Sequence, residues 1–240
     1  MDTIILGDGA LGHAIAAAIR ERGDTEPTLI GRPERGRHDP ARFIGTSVVF
    51  EASRPEAVST NLEAAIEGGA RRFVIATTGW DHDRSSVDRS LRQAGGSAVV
   101  APNLSLGAAL FLRLIDRASE LFGAVDTFDP YVLEWHRRSK RDRPSGTARE
   151  IVRRMRSAYS SDPDVAVIRA GASPGMHLVA FDAAGETVEL RLTARDRSAY
   201  AVGALAAADW LLRAPRPAGI NPFDAVVDEL LARPPLAATA

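Results

Sequence analysis

The stretch Thr3-Ile4-Ile5-Leu6-Gly7-Asp8-Gly9-Ala10-Leu11-Gly12 decides the fold of this 240-residue chain. Its apolar start predicts a strand over Thr3–Leu6, and the apolar periodicity that follows predicts a helix over Ala10–Arg20. The G-x-G-x-x-G spacing is typical of dinucleotide binding, because it permits a tight turn, a close backbone approach to a pyrophosphate and close packing of helix on strand. We expect the pyrophosphate to be held, at the helix N-terminus, by Gly7, Gly9, Ala10, Leu11 and Gly12. The alternative is a glycine-rich turn that has lost its ligand.

The rest of the first hundred residues alternates short apolar runs with helical patterns. Strands are predicted at Thr28–Ile30, Ser47–Phe50, Phe73–Ala76 and Ala98–Ala101, and helices at Pro55–Glu67 and Ser85–Ala94. Such alternation is typical of an α/β fold with a doubly wound parallel sheet, here of the Rossmann-like kind.

After Asn103 the pattern changes. Helices are predicted at Leu106–Phe122 and Ser145–Tyr159, and strands at Phe128–Trp135, Val165–Arg169, His177–Phe181 and Thr187–Leu192. The excess of strands favours an inserted α+β domain with a mixed or antiparallel sheet. Helices return at Ala199–Leu212 and Pro222–Leu231. We therefore expect residues 1–104 and 198–240 to form a dinucleotide-binding domain, and residues 105–197 a substrate-binding and oligomerisation domain.

Composition and charge exclude several classes of protein. The 30 basic and 31 acidic residues nearly cancel, which argues against nucleic acid or a membrane surface as the partner. The chain has no cysteine, so disulfides and thiolate metal sites are excluded, and we expect no metal. No apolar run is long enough to span a bilayer, and the start at Met1-Asp2-Thr3 lacks a basic leader. We expect a cytoplasmic protein.

The end of the second strand bears on the choice of cofactor. An acidic residue at this point normally binds the ribose hydroxyl of NAD. Here Thr28–Ile30 is followed by Gly31-Arg32-Pro33, and a guanidinium suits the 2′-phosphate of NADPH better than a diol. Glu34 is close enough in sequence to reach the ribose, so NADH stays open, and a solvated Arg32 is the simplest alternative.

The only lysine of the chain, Lys140, stands in a loop that carries chemistry. The other 29 of the 30 basic residues are arginine, and unlike arginine a lysine can give up a proton near neutral pH. His136 lies four residues before it, and Pro144-Ser145-Gly146-Thr147 predicts the start of a helix. Cations, a titratable imidazole and a helix N-terminus favour a site for a small dianion. A solvated basic loop, with one lysine surviving by chance in a GC-rich coding sequence, is the alternative.

The same loop resembles the signature E-x-H-H-x-x-K-x-D-x-P-S-G-T-A of the dihydrodipicolinate reductase family. The matching residues are Glu134, His136, Lys140, Asp142 and Pro144 to Ala148. Five further segments are similar to family motifs, so that the resemblance covers nearly the whole chain: Phe50–Glu56, Ala76–Gly79, Ala101–Ser105, Arg169–His177 and Ala194–Arg197. The chain departs from the family at Arg137, Ala76 and Leu192, where the family has His, Gly and His.

The resemblance implies NADPH-dependent reduction of 4-hydroxy-tetrahydrodipicolinate to tetrahydrodipicolinate in lysine and diaminopimelate biosynthesis, by a homotetramer built through the second domain's sheet. His136 and Lys140 would be catalytic, supplying the proton that follows hydride transfer. Besides the glycine loop, the implied cofactor-binding residues are Arg32, Ala76, Thr77, Thr78, Ala101, Pro102, Asn103 and Leu104. The implied residues for a dicarboxylate substrate are Arg137, Lys140, Gly146, Thr147 and Arg197. Two alternatives stay open: a relative that reduces another small imine or unsaturated acid, and a non-catalytic nucleotide-binding sensor.

Overall fold

A computed structural model describes residues 2–34 and 36–232 of the chain. The chain divides into two compact units. Described residues up to Leu106 and from Arg197 onward form the first unit, and Gly107–Asp196 forms the second. Residues 233–240, which the sequence assigns to the dinucleotide-binding domain, lie outside the described residues. No helix in the described part of the chain is both long and apolar enough to cross a membrane.

The first unit contains a six-stranded sheet with helices on both faces. Its strands are β1 (Thr3–Leu6), β2 (Thr28–Ile30), β3 (Val48–Glu51), β4 (Arg72–Ile75), β5 (Ser97–Val100) and β10 (Gly219–Pro222). Its helices are α1 (Ala10–Glu21), α2 (Val58–Glu67), α3 (Arg84–Ala94), α6 (Ser198–Arg213) and α7 (Phe223–Leu231). All strands are parallel, in the order β10-β5-β4-β3-β1-β2. The predicted doubly wound parallel sheet is confirmed.

Burial on both faces explains why the central strands are mainly apolar. Ile4, Val49 and Phe73 pair in register on one face and pack with residues of α2 and α3. Ile5 and Phe50 begin the row on the other face and are fully buried. Helix α6 packs against α1 and β4. A parallel sheet covered on both faces removes polar alternation from its strands.

The second unit contains a four-stranded sheet and two helices. Its elements are α4 (Leu106–Gly123, with Leu106 counted in the first unit), β6 (Asp129–His136), α5 (Gly146–Met155), β7 (Asp164–Arg169), β8 (Gly175–Ala183) and β9 (Glu186–Ala194). The order is β7-β6-β8-β9, with β6 parallel to β7 and the other pairs antiparallel. The sheet is therefore mixed, as the α+β pattern predicts.

The two faces of this second sheet differ. One face packs Val132 and Val179 against Phe111 and Ile115 of α4 and Ile151 of α5. The other face carries an apolar cluster made, among the described residues, only of strand side chains. Its members are Tyr131, Leu133, Met176, Leu178 and Ala180. Beside it, Trp135 and Ile168 are each 40% exposed.

Three elements differ from the sequence-based expectations, and one of them is α5, which ends at Met155 and not at Tyr159. Strand β10 was not predicted, because Gly219-Ile220-Asn221-Pro222 is poor in strand-forming residues. It is an edge strand, where proline is tolerated. The predicted helix over Pro55–Glu67 starts later: Pro55–Ala57 forms a 3₁₀ turn, and α2 begins at Val58. None of these differences affects the order of the strands that carry the expected binding residues.

Candidate active site

The glycine loop after β1 has the shape that a pyrophosphate requires. Gly7 adopts φ +113°, and its N–H donates to the carbonyl oxygen of Ile30 at 2.8 Å. A Cβ atom at Gly7 would overlap the carbonyl oxygen of Ala52, and one at Gly12 would overlap that of Gly7. At Gly9, a Cβ would meet no described atom within 4 Å. The loop therefore packs tightly beneath the start of α1 and is open at Gly9, where N–H groups without intrahelical partners can bind an anion.

A carboxylate lies beside the end of β2, although the three residues that directly follow the strand, Gly31-Arg32-Pro33, include no acid. A Cβ atom built on Gly31 would lie 2.9 Å from Oδ2 of Asp8. Asp8 occupies an unspecified position of the glycine motif, so its placement was not predicted. Arg32 follows Gly31 and is exposed. The loop that would receive the adenosine ribose thus offers charges of both signs.

The predicted residues on the nicotinamide side follow strands β4 and β5. Thr77 and Thr78 come just after β4, and Asn103 and Leu104 come just after β5. Asn103 Oδ1 accepts a hydrogen bond from the backbone N–H of Ser105 at 2.9 Å. Because the strands are parallel, these segments lie at the same edge of the sheet as the glycine loop. That edge is where open α/β sheets bind their ligands.

Glu51, at the end of β3, holds this edge together and was missed as a positioning group. Its buried carboxyl accepts hydrogen bonds from Asn61 Nδ2 at 2.9 Å, from the Ser53 N–H at 2.9 Å and from Thr77 Oγ1 at 3.3 Å, and it also contacts the Ser53 hydroxyl. Burial raises the pKa of Glu51 above its usual value, and the hydrogen bonds oppose the rise. The Thr77 hydroxyl is thus engaged inside the protein, so Thr77 positions the loop.

In the second unit, Glu134 organises the loop between β6 and α5. Its fully buried carboxylate accepts from Arg169 Nη2 at 2.6 Å and from the Ser145 N–H at 3.0 and 3.1 Å. The same Arg169 nitrogen donates to the carbonyl oxygen of Asp142 at 2.6 Å. Burial acts to raise the pKa of Glu134, but the hydrogen bonds from Ser145 and Arg169 outweigh it and the pKa is lowered. An ionised carboxylate therefore fixes both ends of the loop.

Two buried imidazoles lie beside this carboxylate. His136 Nδ1 and His177 Nε2 are each 3.6 Å from Glu134 Oε2, and the two rings meet edge to face with centroids 5.0 Å apart. His177 Nε2 and Ser145 Oγ are 3.0 Å apart, within hydrogen-bond distance. Burial lowers the pKa of His136, partly opposed by Glu134, and burial together with His136 lowers the pKa of His177 to about 4. Both rings are mainly neutral at pH 7.

Ligand-type atoms of Glu134, His136 and His177 lie within 4.8 Å of one another. These are residue types that bind Zn²⁺ or Fe²⁺. However, Glu134 is already neutralised by the Arg169 guanidinium, and a second cation there would be repelled. We interpret the cluster as one that holds and moves protons.

The loop itself presents Lys140 next to the start of α5. The backbone N–H of Lys140 donates to the carbonyl oxygen of Arg137 at 3.1 Å, which turns the chain, and Lys140 Nζ lies 2.9 Å from Asp142 Oδ1. Ser145 caps α5, since its hydroxyl accepts from the Ala148 N–H at 3.2 Å. Gly146 and Thr147 form the first turn of α5.

The second unit thus contains four of the five predicted substrate-binding residues: Arg137, Lys140, Gly146 and Thr147. Arg197, which the sequence assigned to the substrate domain, instead belongs to the first unit, where it is the N-cap residue of α6 and makes no capping hydrogen bond with its side chain. Lys140, the single lysine of the sequence, thus lies between His136 at the end of β6 and the start of α5.

Comparison with known proteins identifies relatives of this chain. A family model described as "Dihydrodipicolinate reductase, C-terminus" matches residues 107–226. The 4-hydroxy-tetrahydrodipicolinate reductase of Archaeoglobus fulgidus is 31% identical over 194 residues, which cover 72% of this chain and 73% of the relative. That of Wolinella succinogenes is 33% identical over 190 residues, covering 70% and 72%. A dipicolinate-bound dihydrodipicolinate reductase from Paenisporosarcina sp. TG-14 has a similar fold, with a TM-score of 0.72, 16% identity, and coverage of 92% of this chain and 97% of that chain.

Proposed function

The chain belongs to the dihydrodipicolinate reductase family of nicotinamide-dependent oxidoreductases, and we propose that it reduces 4-hydroxy-tetrahydrodipicolinate with NADPH in lysine and diaminopimelate biosynthesis. The observation that carries the proposal is the loop of the second unit. There the Glu134–Arg169 pair fixes a segment in which His136, Lys140 and the start of α5 come together. The expectation of an oxidoreductase is confirmed by the family; the substrate is our proposal.

This loop contains cations and backbone N–H groups that can bind the carboxylates of the substrate. The Lys140 ammonium offers charge, and the first turn of α5 offers the N–H groups of Gly146 and Thr147. Arg137 is exposed and adds a guanidinium that can bind a carboxylate through two hydrogen bonds.

The proton that completes the reduction comes from the same loop. Bound nicotinamide supplies the hydride. The reduced carbon skeleton must then be protonated, and His136 and Lys140 are the groups of this loop able to do so near neutral pH. Because burial lowers the pKa of His136, only a minor fraction of that ring is protonated at pH 7. Lys140 therefore carries the larger share of proton donation, and His136 relays or orients.

The first unit holds the cofactor. The N-terminus of α1 at Gly9 receives the pyrophosphate. The segments after β4 and β5 bound the nicotinamide side, and the one after β4 is tied to β3 through the Thr77–Glu51 contact. Arg32 favours the 2′-phosphate of NADPH by charge. The Asp8 carboxylate beside Gly31 acts in the opposite sense and sustains a measurable affinity for NADH.

The face of the second sheet that carries Trp135 and Ile168 supports assembly. An apolar face with Trp135 and Ile168 each 40% exposed favours contact with another subunit. We propose a homotetramer built through this face, acting in the cytoplasm.

A related substrate is the second candidate, because two positions alter the family's pocket. Leu192 of β9 pairs in register with His177 of β8 and packs against the apolar core of the second unit. The family has a histidine at the position of Leu192. Arg137 extends further than the family's histidine. A longer or less polar imine or unsaturated acid would fit these changes.

An assay of NADPH oxidation tests the proposal. The purified protein is mixed with 4-hydroxy-tetrahydrodipicolinate generated freshly in the cuvette, and absorbance at the nicotinamide band is followed. Substrate-dependent oxidation is expected. Tight NADPH binding without oxidation, while other small cyclic imine acids are reduced, would favour the second candidate instead.

A further inference from the structure

The carboxylate of Asp142 already pairs with Lys140, a group that the proposed function assigns to the substrate. Asp142 Oδ1 lies 2.9 Å from Lys140 Nζ, and both side chains are partly exposed. The pKa of Asp142 is lowered, first by the hydrogen bond from Lys140, with smaller contributions from backbone N–H groups that include that of Gly146. Geometrically, the Asp142 carboxylate is paired with the Lys140 ammonium.

The position of Asp142 is imposed by the fold. Its carbonyl oxygen accepts from Arg169 Nη2 at 2.6 Å, and that guanidinium is itself held by Glu134 in the interior. The backbone of Asp142 is therefore held near Lys140, whereas its carboxylate is 40% exposed and has solvent into which it can turn when another anion binds Lys140. A fixed backbone with a rotatable side chain suits an exchangeable internal ligand.

We propose that Asp142 is an internal counter-ion of the substrate site, which a substrate carboxylate displaces from Lys140. This inference rests on the proposed function, since it takes Lys140 as a carboxylate-binding group. Exposed guanidinium groups of Arg137, Arg138, Arg141 and Arg143 surround the loop and attract anions of every kind. Because an internal carboxylate competes for Lys140, any anion must reach a higher concentration before it occupies Lys140. Weakly bound monoanions are therefore kept out, while a dicarboxylate, which has a second attachment point, still binds.

Removing the internal carboxylate tests the exchange. In Asp142→Asn, the dissociation constant of dipicolinate, measured calorimetrically in the presence of NADPH, should fall by about two- to fivefold, the range set by exposed ion pairs. The matched control is Asp162→Asn, which removes the same charge from an exposed pair with Arg156 (2.6 Å) in the same unit. Its dissociation constant should equal that of the parent.

The single lysine provides a second measurement. Biosynthetic incorporation of ¹³C-labelled lysine gives one side-chain signal, that of Lys140. In the parent this signal should move when dipicolinate is added, and in ligand-free Asp142→Asn it should already differ from the ligand-free parent.

The outcomes separate the two claims. If parent and Asp142→Asn bind dipicolinate with equal affinity, or the variant binds more weakly, Asp142 merely orients Lys140 and the exchange is refuted. If none of the proteins binds dipicolinate and the lysine signal does not respond to it, the proposed function fails and this inference fails with it.

Discussion

Truncation of Glu134 should destabilise the second unit strongly, and the structure gives the magnitude. The side chains of Arg169 and Glu134 are 2% and 0% exposed and meet at 2.6 Å. Glu134→Ala leaves the guanidinium buried without its counter-charge, at a cost of about 3–5 kcal/mol. Glu134→Gln keeps an acceptor for the Ser145 N–H but loses the charge, and should cost about 1.5–3 kcal/mol, the range for a hydrogen bond to a charged group.

Urea unfolding measures these costs. Trp135 is a neighbour of Glu134 on β6, and it reports on this unit by fluorescence once the two tryptophans of the first unit, Trp80 and Trp210, are replaced by phenylalanine. The control is Glu120→Ala, whose partner Arg117 lies 2.8 Å away in a pair that is 67% and 63% exposed; it should change the free energy of unfolding by less than about 1 kcal/mol. If Glu134→Ala destabilises the unit no more than Glu120→Ala does, the Glu134–Arg169 pair does not organise the loop.

Cofactor choice, pH and assembly give three further tests. Arg32→Ala should weaken NADPH binding by on the order of 1–2 kcal/mol and barely affect NADH; equal losses in calorimetry would contradict the assignment. Burial lowers the pKa of His177 from 6.5 to about 4, so on acidification His177 is protonated in the unfolded chain before it is protonated in the folded one. The free energy of unfolding should therefore fall by roughly 3 kcal/mol as the pH is lowered from 6.5 to 4. In His177→Gln the free energy of unfolding, measured with urea, should depend less on pH than in the parent. The same pH dependence in both proteins would disprove the role of His177. Trp135→Glu should lower the mass measured by light scattering; an unchanged mass would rule out this face.

The parts of the fold that follow from local patterns could be predicted from the sequence. The strand Thr3–Leu6, the glycine loop and helix α1 lie within about twenty consecutive residues, and their chemistry is local. The parallel order of the central strands follows from alternation of strand and helix. The proximity of His136 and Lys140 is also local, since one turn of chain joins them.

The parts that depend on distant partners could not be predicted. Arg169 meets Glu134 across 35 positions, and the sequence gives no sign that its guanidinium also holds the Asp142 carbonyl. Glu51 reaches Thr77 across 26 positions. Strand β10 exists because β5 offers an open edge, which outweighs the weak strand propensity of its residues. In each case a tertiary contact, rather than a local preference, fixes the outcome.

The most direct test of the account compares the parent with Lys140→Arg in NADPH oxidation with freshly generated 4-hydroxy-tetrahydrodipicolinate. Arginine keeps the charge and adds hydrogen-bond donors, but it cannot release a proton near pH 7. We predict that kcat falls about 10²–10⁴-fold, the usual contribution of general acid catalysis. NADPH affinity should be unchanged, because the residues proposed to hold the cofactor belong to the other unit. A Lys140→Arg enzyme with near-parental kcat would contradict the account, since Lys140 would then be only an anchor for a carboxylate.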